Sequence, residues 1–436
     1  MSSLSDELLD RAETPQPAPV LPGGGWPLLL VLAAIQFTHV LDFIIIMPLG
    51  PLYTREMGLE PWQFGLLVSV YGFTAGISSL LLAAFIDRFD RKHAVLFLYG
   101  GFTVGTLCCA VAPNYLTLLM ARCVAGGFGG VIGAITLAII GDAFPENRRG
   151  LATGVVMSAF SVANIVGVPL GLELATDIGT WVPFAVLGGF SALLLGSAFF
   201  VLPSLRHHQD HGPAPSFTKV LLNPAHLRAF GLMICLVLST STLFPYFANY
   251  LVFNLKLTPW DLSMMYIIGG IATLISMPLI GRISDVFGKR PVYRVMALGT
   301  VVAILVFTNL GPSPLVLVLG LTTAFMIVAS GRMVPAMALI TSSARPAYRG
   351  AFMSINNSAQ LLVMGVAAVV GGLLLSQPDP EGPISGFPLV GALSCAMTLV
   401  SVVLVSYVRP VDAPAEAVPT EEEAAEASVV LVENVP

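Results

Sequence analysis

Residues 87–92 read Asp87-Arg88-Phe89-Asp90-Arg91-Lys92, and 198 positions later the chain reads Asp285-Val286-Phe287-Gly288-Lys289-Arg290. A second echo, Arg149-Gly150 against Arg349-Gly350, falls at an offset of 200. Two landmarks at nearly one offset mean that a long unit was duplicated. The sequence between the landmarks is apolar: of 436 residues 56% are hydrophobic and only 10% charged, and the mean hydropathy is +0.86. A soluble domain has about a quarter of its residues charged. This composition therefore excludes a soluble enzyme and makes lipid the solvent for most of the apolar surface.

A bilayer core about 30 Å thick takes about 20 apolar residues per helix. Twelve such stretches can be marked, at 26–48, 63–85, 93–112, 116–141, 150–171 and 182–203, then at 230–253, 262–281, 291–310, 315–341, 351–375 and 387–408. The reading is an all-α polytopic membrane protein with twelve transmembrane helices in two pseudo-symmetric six-helix halves, 26–203 and 230–408. A flexible cytoplasmic tail (1–25) precedes them, a cytoplasmic linker (204–229) joins them, and an acidic cytoplasmic tail (409–436) follows. Residues 1–25 hold four prolines and a Gly23-Gly24-Gly25 run without the order of a signal peptide. An even number of spans puts both tails on one side, and an excess of Lys and Arg marks that side as cytoplasmic. It collects 15 of the 20 basic residues, and the opposite side only Arg55 and Lys256. The expected location is the cell inner membrane, as a monomer. The net charge of -5 resides in the tails and nothing in the remainder points to nucleic acid. The five cysteines lie in apolar stretches without metal spacing, and no metal or cofactor is expected.

Asp42 is the only acid placed inside a span well away from both ends, at a cost of about 2.5 to 3.5 kcal/mol on insertion scales. Something must offset it. At 1.5 Å per residue Asp42 lies about 9 Å below the outer end of its span, taken at Pro48, and Arg122 about 10 Å below the outer end of span 4. Two opposite charges at one depth can switch between a paired and a protonated state, as proton coupling needs, or can form a fixed pair that orders two helices. His39, three residues earlier on the same face, is a relay partner or a hydrogen-bonded packing residue. Arg332 keeps its charge and either holds an anionic group of a substrate, anchors an acid, or snorkels to the interface.

The outer half of span 7 is crowded with Ser239, Thr240, Ser241, Thr242, Phe244, Tyr246, Asn249 and Tyr250. With Gln36, Tyr71, Tyr266, Arg332, Asn356, Asn357 and Gln360 they form the candidate lining for an amphiphile or a sugar. Asp87, with Arg88, Arg91 and Lys92, and Asp285, with Lys289 and Arg290, form a candidate conformational latch. Each acid would sit at the positive end of a helix of the other half, near Gly350 and Gly150. The alternative is a topology signal alone. Ala163, Gly167 and Gly171 give span 5 a close-packing face, and His207, His208 and His211 read as solvated linker.

These motifs resemble the major facilitator superfamily over roughly residues 26–408. Its loop signature, Gly-x-Leu-x-Asp-Arg-x-Gly-Arg-(Arg/Lys), is met by Gly281, Asp285, Gly288, Lys289 and Arg290, and by Asp87, Arg88, Arg91 and Lys92, with Ala83 and Asp90 in the place of its glycines. Arg122 and Gly126 match the Arg-x-x-x-Gly pattern of span 4. The run from Leu41 to Pro51 and the Gly331-Arg332 pair look like the bacterial drug and sugar (arabinose-type) efflux branch. The exporter signature of span 5 is present in part, as Gly167-Val168-Pro169-Leu170-Gly171. The resemblance implies a cavity lined by spans 1, 4, 7 and 10, so that the helices of Asp42 and Arg122 face one another. It implies a secondary active transporter, not an enzyme, that exports a small organic compound with proton coupling by alternating access. Uptake or facilitated diffusion, and a non-transporting membrane sensor on the same fold, stay open as alternatives.

Overall fold

In the computed structural model the described residues are 25–83, 89–203, 220–345, 348–409 and 411. Asp87, Arg88, the histidine cluster of the linker and most of both tails lie outside them. Twelve helices are long and apolar enough to cross a membrane: α1 (Trp26–Ile45), α2 (Pro61–Leu82), α3 (Arg91–Ala110), α4 (Tyr115–Ala143), α5 (Asn147–Asp177), α6 (Val182–Val201), α7 (Pro224–Phe253), α8 (Pro259–Phe287), α9 (Lys289–Thr308), α10 (Leu315–Ser342), α11 (Arg349–Leu373) and α12 (Phe387–Leu404). Large apolar side chains on the outward faces, such as Phe97, Phe200, Val302 and Val403, are more than half exposed and need lipid. The protein is a multi-pass membrane protein.

Local sequence sets the helix ends and breaks. Asn114 and Thr258 close capping boxes at the starts of α4 and α8. Asn223 accepts from the Ala225 amide with Pro224 in the first turn, so α7 begins six residues before the expected 230 and shortens the linker. Prolines explain the interruptions, since each removes an amide and crowds the carbonyl four residues back. Pro169 follows a π-helical turn at Ala163–Gly167, Pro335 follows the break at Arg332, and Pro245 lies in the short 3-10 turn that divides α7. α1 stops at Ile45, and a separate helix, Gly50–Met57, resumes after a turn. Together the two match α7, whose parts are Pro224–Ser241 and Phe247–Phe253.

The duplication is visible in the packing. α1 packs on α5 and α6, and α3 on α4 and α6, with α2 on α4; α7 packs on α11 and α12, and α9 on α10 and α12, with α8 on α10. The halves meet through α2 with α11 and α5 with α8. Glycines bring the α2 and α11 backbones together: a Cβ on Gly65 would lie 2.7 Å from the Ala368 carbonyl oxygen, and one on Gly372 2.7 Å from that of Pro61. Ser69 Oγ donates to the Gly365 carbonyl at 2.7 Å and Tyr246 to that of Ala368 at 2.5 Å.

At the end of the bundle away from residues 25 and 409, the distal end, Asn249 donates to Thr54 at 3.3 Å and Arg55 pairs with Glu381 at 3.1 Å. At the tail end, Glu146–Met157 of α5 packs on α1, α4 and its own continuation, and Met333–Ser342 of α10 packs on α7, α8, α9 and its own preceding helix. Among the described residues these two segments pack chiefly within their own halves, so the halves are sealed across the distal end while α5 and α10 do not bridge them at the tail end.

Candidate functional site

Asp42 and Arg122 meet in the interior of the first half. Arg122 Nη1 lies 2.8 Å from Asp42 Oδ2 and 3.0 Å from its carbonyl oxygen, and both side chains are fully buried. Thr106 Oγ1 donates to the other carboxylate oxygen at 3.1 Å. The guanidinium stands 4.5 Å from the centre of the Tyr71 ring, a cation–π contact strengthened by the absence of water. Gly126 permits that arrangement, because a Cβ there would sit 2.6 Å from the Tyr71 carbonyl oxygen. Arg122 Nε and Nη2 have no partner among the described residues, so the pair is not fully satisfied.

Asp42 lies three residues before the end of α1 at Ile45, and the chain passes through a turn that holds Pro48 before the separate helix Gly50–Met57. The His39 ring stands edge-on to Phe102 at 6.0 Å, and its Nδ1 has no partner among the described residues.

In the second half Arg332 is fully buried and does not snorkel. Its Nη2 donates to Ser239 Oγ and Thr240 Oγ1, both at 2.6 Å, and Nη1 to Thr398 Oγ1 at 3.1 Å. These hydroxyls send their protons to helix carbonyls, of Leu236 for the first two and Ser394 for Thr398, which leaves their lone pairs to the guanidinium. Ser394 in turn donates to the Ser239 carbonyl. No acid pairs with Arg332 among the described residues.

A cavity of about 190 Å³ lies between the halves. Phe160 and Asn164 of α5, Thr240, Ser241 and Phe244 of α7, Thr273 of α8, Phe325, Met326, Ala329, Ser330 and Met333 of α10, and Gln360 and Met364 of α11 line it. Of the candidate lining residues, Phe244 and Gln360 lie on the wall of this cavity. Several other candidates have structural partners instead. Tyr246 and Asn249 belong to the distal seal, and Tyr250 donates to Leu310 and stacks on Phe387 at 4.0 Å. Asn357 donates to Ser79 at 3.4 Å across the halves. Gln36, Tyr266 and Asn356 are buried, and Gln36 and Asn356 each keep a carbonyl oxygen without a partner among the described residues.

Of the latch residues, Arg91 pairs with Asp142 at 3.2 Å and Lys92 stands over the Phe199 ring. Arg290 donates to the Val408 carbonyl at 2.8 Å. Lys289 opens α9 in a half-buried position, and Asp285 is exposed, without an ion pair among the described residues. The sequence reading missed Thr106, Thr398 and Asp142. On the close-packing face of α5, Gly167 and Gly171 pack on Leu41 and Ile45 of α1.

Duplicated six-helix halves around a central cavity, with charges buried in the spans, define a membrane transporter. The chain belongs to the Major Facilitator Superfamily, whose family model matches residues 32–236 and 229–435. It is similar to "Uncharacterized MFS-type transporter YbcL" of Bacillus subtilis, 24% identical over 87% of this chain and 96% of that one, and to "Inner membrane transport protein YdhP" of Escherichia coli, 24% identical over 83% and 92%. A "Probable sugar efflux transporter" of Helicobacter pylori is 24% identical over 52% of this chain and 58% of its own. Among solved structures, a bacterial homologue of the human lysosomal transporter Spinster, inward-facing and occupied, shares the fold with a TM-score of 0.65 at 15% identity, over 87% and 94% of the two chains.

Proposed function

We propose that the chain is a proton-coupled exporter of a small organic compound, with Asp42 as the proton carrier and Arg122 as the group that tunes it. The observation that carries this reading is the Asp42–Arg122 pair, fully buried deep in the bundle. A buried carboxylate is held charged only while its cation stays near; withdrawal of Arg122 in another conformation returns it to the protonated form. The positive-inside distribution makes the tail end cytoplasmic, so the sealed distal end corresponds to an inward-facing state in the cell inner membrane. Asp87 and Asp285 close the cytoplasmic side in the opposite state, each against a helix N-terminus of the other half. Aromatic and Met side chains with a few amides and hydroxyls suit an amphiphile with a sizeable apolar body.

The test is transport in inside-out vesicles with an imposed proton gradient. Gradient-dependent accumulation of a drug, sugar or metabolite supports export. Movement only down the substrate's own gradient favours facilitated diffusion, and no movement of any compound favours a sensor.

A further inference from the structure

Charge does not balance inside the bundle. Asp42 neutralises Arg122, whereas Arg332, equally buried, has among the described residues only the neutral hydroxyls of Ser239, Thr240 and Thr398, and its Nε has no partner there. Hydroxyls solvate a cation but leave its charge in place, and in a low-dielectric interior that charge is felt over several ångströms. Arg332 sits directly behind the cavity. Thr240, which accepts from its Nη2, lines the cavity, as do its chain neighbours Ser330 and Met333, and no acid is among the lining residues. The cavity is thus a mostly apolar space whose lining hydroxyl, Thr240, is hydrogen-bonded directly to a cation with no acid partner among the described residues.

We infer that the cavity takes an amphiphilic organic monoanion, a carboxylate on an aromatic or alkyl body, with Arg332 as its counter-charge. This rests on the transport reading above and names the substrate class. One free positive charge matches one negative charge, which favours a carboxylate over a dianionic phosphate ester. Phe160, Phe244, Phe325 and Met326 receive the apolar body. Rotation of Thr240 lets the carboxylate reach the guanidinium fork, whose paired N–H groups fit a carboxylate edge-on.

The experiment measures binding without transport. The full chain in lipid nanodiscs is titrated with matched acids and amides: benzoate with benzamide, 4-phenylbutyrate with 4-phenylbutyramide, and hexanoate with hexanamide. Phenyl phosphate provides the dianionic arm. At least one acid is expected to bind about tenfold or more tightly than its amide, the scale of a charge-assisted hydrogen bond, and more tightly than phenyl phosphate. Arg332→Gln removes the preference and Arg332→Lys keeps part of it. Should Arg332→Gln fail to fold, the wild-type pairs and Arg332→Lys still decide. Equal binding of acid and amide in every wild-type pair, or a preference retained in folded Arg332→Gln, overturns the inference. Acid-selective binding without proton-driven movement would instead count against the coupling reading alone.

Discussion

Ser239 occupies in α7 the place that Asp42 occupies in α1. Each lies eight residues before its short distal helix, which starts at Phe247 in α7 and at Gly50 after α1. Each also receives an arginine of its own half, Arg332 Nη2 at 2.6 Å on Ser239 and Arg122 Nη1 at 2.8 Å on Asp42. The duplicated scaffold kept a polar meeting point at one depth and changed its charge: neutral overall in the first half, positive in the second. A carboxylate that can gain and lose a proton stands in one half, and a permanent cation without an acid in the other.

Asp42→Asn is expected to abolish proton-driven accumulation while substrate binding and downhill exchange persist. The amide keeps the shape, with its oxygen accepting from Arg122 and its NH2 group facing the Thr106 hydroxyl, which can accept, but it cannot exchange a proton. Uptake into inside-out vesicles with and without a pH gradient checks this. Accumulation at the wild-type rate would remove Asp42 as the carrier and turn attention to His39.

Arg122→Ala leaves a buried carboxylate without its cation. Breaking a buried pair costs about 3–5 kcal/mol if the charge remains, so the acid takes up a proton instead and the chain still folds. The expected result is normal expression, slower transport and an altered pH dependence. A pH–rate profile superimposable on the wild type would show that the pair only joins α1 to α4.

Charged loops between apolar runs made the twelve spans and the repeat legible, and a single buried acid with an arginine pointed to their pairing. Pro48 marked the end of span 1 within three residues of Ile45, but not the separate helix that follows at Gly50. The start of α7 was hidden by His226 and Arg228, whose polarity resembles linker, while Asn223-Pro224 carried the capping signal. Thr106 could not be singled out: a hydroxyl in an apolar span most often bonds its own helix, as Thr103 does to the Tyr99 carbonyl. Nothing local distinguishes the one that reaches a carboxylate 64 positions away.

Asp285→Asn tests the latch. In this form Asp285 is exposed and unpaired among the described residues, so the substitution leaves it untouched and weakens only the form in which the acid meets the α5 N-terminus. A charge–dipole contact of about 0.3–1 kcal/mol corresponds to a shift of about two- to fivefold toward the tail-open population. Spin labels at the exposed Leu151 and Val286 positions would report it as a longer mean distance. Unchanged distances with unchanged transport would reduce the loop to a topology signal.

Gly126 and Gly127 are neighbours on α4 with opposite surroundings. A Cβ at Gly126 would lie 2.6 Å from the carbonyl oxygen and 2.8 Å from the Cα of Tyr71, whereas one at Gly127 meets nothing within 4 Å. Backbone cannot rotate aside as a side chain can, so Gly126→Ala must push α2 from α4 and carry the Tyr71 ring away from Arg122. Overpacking of this kind costs about 1–3 kcal/mol. Gly127→Ala gains helix propensity of up to about 1 kcal/mol and should unfold no earlier than the wild type. The expected pattern is a lower thermal midpoint and impaired gradient-driven transport for Gly126→Ala, and neither for Gly127→Ala. Equal midpoints for the two variants would mean that α2 and α4 do not meet at Gly126, and the contact of Tyr71 with Arg122 would lose its structural basis.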